Sequence, residues 1–192
     1  FLGTMGPFLV PLIAIITVRA LMISSLTTFL PVFLPEEGSD LWLAGASLTV
    51  LEGAGVAGAL LGGSLSDRFG RRAVIGFALL VTPVLMFLFL STQGWLRIPL
   101  LLALGLTALS VIPVLMALVQ ESFSENRALA NGVYMALSFL IRSAAVLVVG
   151  AIGDTWGMRQ AFVVSAIAPL VGLPFLWLFP GGRRPSTGRA PV

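Results

Sequence analysis

Gly63-Ser64-Leu65-Ser66-Asp67-Arg68-Phe69-Gly70-Arg71-Arg72 separates two long apolar runs, and the fold turns on how this stretch is read. A tight basic turn needs a glycine where the backbone goes left-handed, which accounts for Gly70. It accounts for neither Asp67 nor the early Gly63. Gly63 would let another backbone approach the end of the preceding helix. Asp67 would offer a negative charge to the positive N-terminus of a neighbouring helix. Arg68, Arg71 and Arg72 would pair with carboxylates or anionic headgroups.

The runs on either side cover about residues 41–65 and 73–90, and four more cover about 8–34, 98–119, 128–152 and 160–179. Each reaches the roughly 18 apolar residues that cross a bilayer as a helix. Strands of a membrane barrel would be half as long and alternate in polarity. The composition agrees, being 58% hydrophobic and 10% charged, where a soluble domain carries roughly 25% charged residues. The expectation is an all-α membrane unit over residues 1–180 with a polar tail at 181–192. Pro83, Pro113, Pro169 and Pro174 fall inside runs, where membrane helices accommodate them as kinks.

The net charge is +3, and every basic residue is Arg. Arg68, Arg71, Arg72, Arg127, Arg183, Arg184 and Arg189 follow the even-numbered runs; the opposite loops hold only Arg97 and Arg159. This bias predicts cytoplasmic even-numbered loops and a cytoplasmic C-terminus. The acidic Glu36, Glu37 and Asp40 then lie outside, where acids count little. So small and scattered a charge excess does not suit nucleic acid. The absence of Cys and His excludes disulfides, thiol catalysis and the commonest proton shuttle and metal ligand. No metal or cofactor is expected, and no P-loop for direct ATP coupling is present. The chain begins at Phe1 without a secretory leader pattern, and it reads as a fragment.

The pattern G-x-x-x-D-R-x-G-R-R, formed by Gly63, Asp67, Arg68, Gly70, Arg71 and Arg72, resembles the signature loop of the major facilitator superfamily. In that family it lies between the second and third helices of each six-helix half. The resemblance implies a half-transporter, read as the C-terminal half, whose missing N-terminal half supplies the helix that receives Asp67. It implies a latch that helps hold one end of the pathway shut. It also implies that the third and sixth helices face lipid while the others line a cavity. The segment from Gln120 to Gly132, and Arg19 followed by Phe29-Leu30-Pro31, are similar to bacterial drug exporters of the fosmidomycin-resistance type, although Ser124 stands where those often carry Pro.

The spacing of Gly63, Asp67, Gly70 and Arg72 returns 87 residues later as Gly150, Asp154, Gly157 and Arg159. Three helices intervene, so the copies would lie on opposite membrane faces. An inverted three-plus-three repeat predicts this.

Arg19, Glu52 and Arg142 sit inside apolar runs, about 10 to 14 residues from the run ends. At about 1.5 Å per residue that is near the midplane, where a charge costs at least about 2.5 kcal/mol. The simplest account pairs Glu52 with Arg19 or Arg142 and leaves one positive charge for an anionic group. Such a group is either a substrate or proton-coupling site or an ion pair that fixes packing. The small-residue stripes Ala54, Gly58, Gly62 and Gly55, Ala59, Gly63 read as a helix-packing face.

The function expected is proton-coupled efflux of a small organic solute by alternating access, in the bacterial inner membrane. Its partners would be the solute, protons, the bilayer and the missing half. The alternatives are uptake of an organic anion or sugar by a member of the same superfamily, and a six-helix scaffold that transports nothing. A membrane enzyme would need clustered catalytic groups near an interface, and none stands out.

Overall fold

The computed structural model describes residues 2–178 apart from Ser124, with the backbone alone for residues 2–7. The expected tail at 181–192 lies outside the described residues. Six helical spans are long and apolar enough to cross a membrane: Phe8–Glu36, Leu41–Phe69, Arg71–Ser91, Gly94–Ser122, Arg127–Trp156 and Met158–Leu178.

Their ends are set by backbone chemistry rather than by the edge of the apolar runs. The second span, α3 (Leu41–Phe69), carries Asp67 and Arg68 within its last turn and stops only at Gly70, where φ is +94°. The fifth, α7 (Arg127–Trp156), likewise takes in Asp154 and stops at Gly157, where φ is +93°. A helix ends most cheaply where glycine permits a positive φ. Helices α3 and α7 therefore run four residues past the expected ends at 65 and 152.

Three spans are interrupted. The first consists of α1 (Leu2–Ser24), a π-turn (Ser25–Phe29) and α2 (Leu30–Glu36). Pro31 has no N–H to give the carbonyl of Thr27, and the chain widens just before it. The fourth starts with a 3₁₀ turn (Gly94–Leu96), continues as α5 (Arg97–Ala108) and resumes after a break as α6 (Val111–Ser122). Pro113 lies just beyond that break. The sixth divides into α8 (Met158–Val171) and α9 (Leu173–Leu178), with Pro174 in the first turn of α9. The third, α4 (Arg71–Ser91), absorbs Pro83 without a break.

In a bilayer, close packing replaces water exclusion as the force between helices. Helix α3 lies directly on α5: a Cβ on Gly58 would fall 2.4 Å from the carbonyl oxygen of Leu106, and one on Gly105 would fall 2.2 Å from that of Leu51. Only glycine fits there, so the packing face expected on the second span is present. Helix α1 packs on α7 and α8, and α4 packs on α8, α5 and α6. Two buried clusters result. Phe33, Phe89, Leu101 and Phe162 fill the end near Glu37. Phe8, Leu12, Ile75 and Leu115 fill the end near Gly70.

Exposure does not single out the third and sixth spans as the outer ones. The fifth is the most open of the six, and the third is better covered than the second or the fifth. Helices α3 and α7 each leave a long face uncovered, and these faces carry Glu52 and Arg142.

Candidate functional site

The guanidinium of Arg71 ties the Gly70 turn together. Gly70 donates its N–H to the carbonyl of Ser66 at 3.0 Å, ending α3. Arg71, first in α4, places Nη2 2.6 Å from Asp67 Oδ1 and 2.8 Å from Glu121 Oε1. Its Nη1 donates to the hydroxyl of Ser66. The turn is thereby tied to the end of α6. The sequence reading did not pair Glu121 with Arg71. The signal was an acid at the end of the fourth run, on the same side as the basic cluster. Arg68 is exposed, and Arg72 is half-buried as the second residue of α4. Among the described residues, a Cβ on Gly63 would meet nothing within 4 Å. Asp67 remains largely exposed while bound to Arg71.

The Gly157 turn has the same backbone form. Gly157 has φ 93° and ψ 151°, and Gly70 has φ 94° and ψ 146°. Gly157 donates to Gly153 at 2.9 Å, the counterpart of the bond from Gly70 to Ser66. Arg159 donates to Glu37 Oε2 at 2.7 Å and to the carbonyl of Leu90 at 3.1 Å. Asp154 is exposed and belongs to none of the ion pairs among the described residues. Gly150 faces the ring of Phe29.

Beside this turn, Arg97 is 1% exposed. Its guanidinium lies 5.8 Å from the ring centre of Phe33 and 5.4 Å from that of Phe89. Nε donates to the carbonyl of Thr92 at 2.8 Å, and Nη1 to Ser39 Oγ at 2.9 Å. Glu37 lies 3.6 Å from Nη2. A charge this deep is tolerable because aromatic faces, hydrogen bonds and a carboxylate surround it. The two arginines of the low-charge side thus converge on Glu37, a pairing hidden in loops that the charge rule treats as neutral.

Between the first, fourth and fifth spans is a cleft of about 220 Å³, lined by Arg19, Ile112, Met116, Tyr134, Ser138 and Arg142 among others. Arg19 is buried and donates to the carbonyl of Ala108 at 2.7 Å. Arg142, on the exposed face of α7, donates to the hydroxyl of Thr27 in the π-turn at 2.9 Å. The two arginines meet at one cleft whose lining includes no carboxylate.

The expected pairing of Glu52 with either arginine is not what the structure contains. No ion pair among the described residues includes Arg19, Glu52 or Arg142. Leu51 and Ala54 take the buried side of α3, and Glu52, one residue on, turns about 100° away to the uncovered face. Depth along the helices put the three charges level, but azimuth separates Glu52 from the arginines.

Six apolar spans, interrupted helices and a cleft that brings buried Arg19 together with exposed Arg142 define a multi-pass α-helical membrane protein of the transporter type. The family model of the Major Facilitator Superfamily matches residues 12–192, and the chain belongs to that family, one of transporters and not of enzymes. It is 28% identical over 130 residues to an uncharacterized MFS-type transporter of Bacillus subtilis, YfnC, covering 68% of this chain and 32% of that protein. It is 25% identical over 123 residues to the fosmidomycin resistance protein of Escherichia coli strain K12, covering 64% of this chain and 30% of that protein. The chain spans about a third of the length of the curated relatives it matches. No solved structure matches it.

Proposed function

We propose that this chain is one six-helix half of a secondary transporter that exports a small organic solute in exchange for protons. The solute lies in the cleft between the first, fourth and fifth spans. The observation that carries this reading is the meeting of Arg19 and Arg142 at a cleft lined by no carboxylate. Two cations near the midplane are costly without a counter-charge. An anionic group on the solute would supply one, as would an acid of the missing half. The uncovered faces of α3 and α7 are where that half packs, and Glu52 is the proton-coupling carboxylate on that boundary.

The half is built as an inverted three-plus-three repeat. The matching Gly70 and Gly157 turns support this, and so do their ion pairs. Arg71 ties the start of the third span to the end of the fourth, and Arg159 ties the start of the sixth to the end of the first. Exchanging spans one to three with four to six turns one pair into the other. In this reading the Gly70 turn is cytoplasmic and acts as a latch against the other half. The membrane is the bacterial inner membrane.

Both arginines serve an anionic solute moving in either direction, so uptake of an organic anion is the second reading. Fosmidomycin is the first compound to test, in cells expressing the full-length transporter. Lower accumulation that returns to the control level when the proton gradient is collapsed is the expected result. Gradient-dependent accumulation above the control would favour uptake. Equal accumulation of every organic anion tried, with and without the protein, would refute both.

A further inference from the structure

The break in the fourth span takes the usual backbone donors from the carbonyls of Thr107, Ala108 and Leu109, and each of these three has a replacement. In a continuous helix Thr107, Ala108 and Leu109 would accept from residues 111, 112 and 113. Residue 113 is proline and has no N–H. Leu109 instead accepts from the N–H of Ile112 at 3.3 Å. Thr107 accepts from the hydroxyl of Ser110 at 2.8 Å. Ala108, whose usual donor is thus diverted, accepts from Arg19 at 2.7 Å. A buried carbonyl without a donor is costly, and among the described residues the donor to this one comes from another helix. On the opposite side α3 wedges the break, since a Cβ on Gly62 would fall 2.7 Å from the carbonyl oxygen of Ser110.

We infer that Arg19 is a positioning residue that sets the angle of α6 by completing the hydrogen bonding of the broken fourth span. Helix α6 is a lever of 12 residues, about 18 Å long at 1.5 Å per residue. Near its start it presents Ile112 and Met116 to the cleft. Near its far end Glu121 holds Arg71 and, through it, Asp67. Arg19 therefore stands at the pivot of a continuous path from the cleft to the Gly70 turn. The inference rests on the proposed role of the cleft only in giving that path a purpose. The bond to Ala108 needs no solute.

The test uses the full-length transporter with spin labels at Leu102→Cys and Ser122→Cys, any cysteines outside this chain having been replaced. The sites lie on either side of the break, about 30 Å apart by helix rise, and their distance distribution reports its angle. Arg19→Met is expected to shift or broaden the distribution and to lower Tm. Arg19→Lys, which keeps one donor, is expected to restore both. Pro113→Ala supplies the missing N–H, frees Ile112 for Ala108 and straightens the span. In that background Arg19→Met is expected to leave the distance unchanged and to lose less than half of the Tm it loses with Pro113 in place. An unchanged distribution in Arg19→Met, or an equal Tm loss in both backgrounds, would overturn the inference. Unimpaired transport by Arg142→Gln would instead count against the cleft as the solute path and leave the lever standing.

Discussion

Arg71 reaches a carboxylate on its own turn, a second one on α6 and the hydroxyl of Ser66. Exposed pairs are worth about 0.2–1 kcal/mol, so Arg71→Ala and Glu121→Gln should each lower stability only modestly. A double-mutant cycle on thermal unfolding should show them coupled, and strict additivity would deny the tie. Arg97 should behave differently, because it is buried against two phenylalanine rings and gives up more than one hydrogen bond. Arg97→Ala should cost about 2–5 kcal/mol, the range for emptying the site of a large buried side chain. Arg97→Lys should recover little of this, because an ammonium cannot match the stacked planar guanidinium. Unfolding of the purified protein measures both. At this scale the sequence was half legible. Asp67 and Arg71 are marked by their spacing, and the depths of Arg19, Glu52 and Arg142 follow from counting along the apolar runs. Their partners do not, because a partner depends on which helix ends meet. Glu37 therefore passed as an ordinary loop acid, Glu121 was noted without a partner, and Glu52 was assigned to arginines that it does not face.

At the scale of elements, glycine decides where helices stop and how closely they lie. Gly70 and Gly157 occupy a region of positive φ and extended ψ that is close to glycine-only. Gly70→Ala and Gly157→Ala should each cost about 1–3 kcal/mol, measurable as a fall in Tm. Because the two turns share one backbone form, the losses should be of similar size; a loss at one site alone would deny that equivalence. Gly58→Leu should separate α3 from α5 and cost at least the 1–3 kcal/mol typical of overpacking, whereas Gly63→Leu should be nearly neutral in this chain. The six spans were legible from apolar length. Their ends were not, because Asp67 and Asp154 look like loop residues yet lie inside the last turns of α3 and α7. Proline was ambiguous for a similar reason. Pro83 and Pro113 look alike in the sequence, but α4 continues through the first, and the fourth span is broken just before the second.

At the scale of the molecule, the uncovered faces of α3 and α7, which carry Glu52 and Arg142, form the surface that the proposed second half would cover. The proposed inverted repeat gives the half its symmetry, and the proposed second half gives the cleft its other wall. If Glu52 couples protons, Glu52→Gln should abolish gradient-driven transport while leaving gradient-independent solute exchange, which an exchange assay in vesicles reads directly. Loss of both would make Glu52 a structural residue. The central claim is that the cleft of Arg19 and Arg142 carries the solute, and its most direct test is proton-driven solute uptake into inverted membrane vesicles bearing the full-length transporter or its Arg142→Gln variant at equal abundance. The account predicts uptake by the unaltered protein and a loss of at least tenfold in the variant. Equal uptake by the two would contradict it.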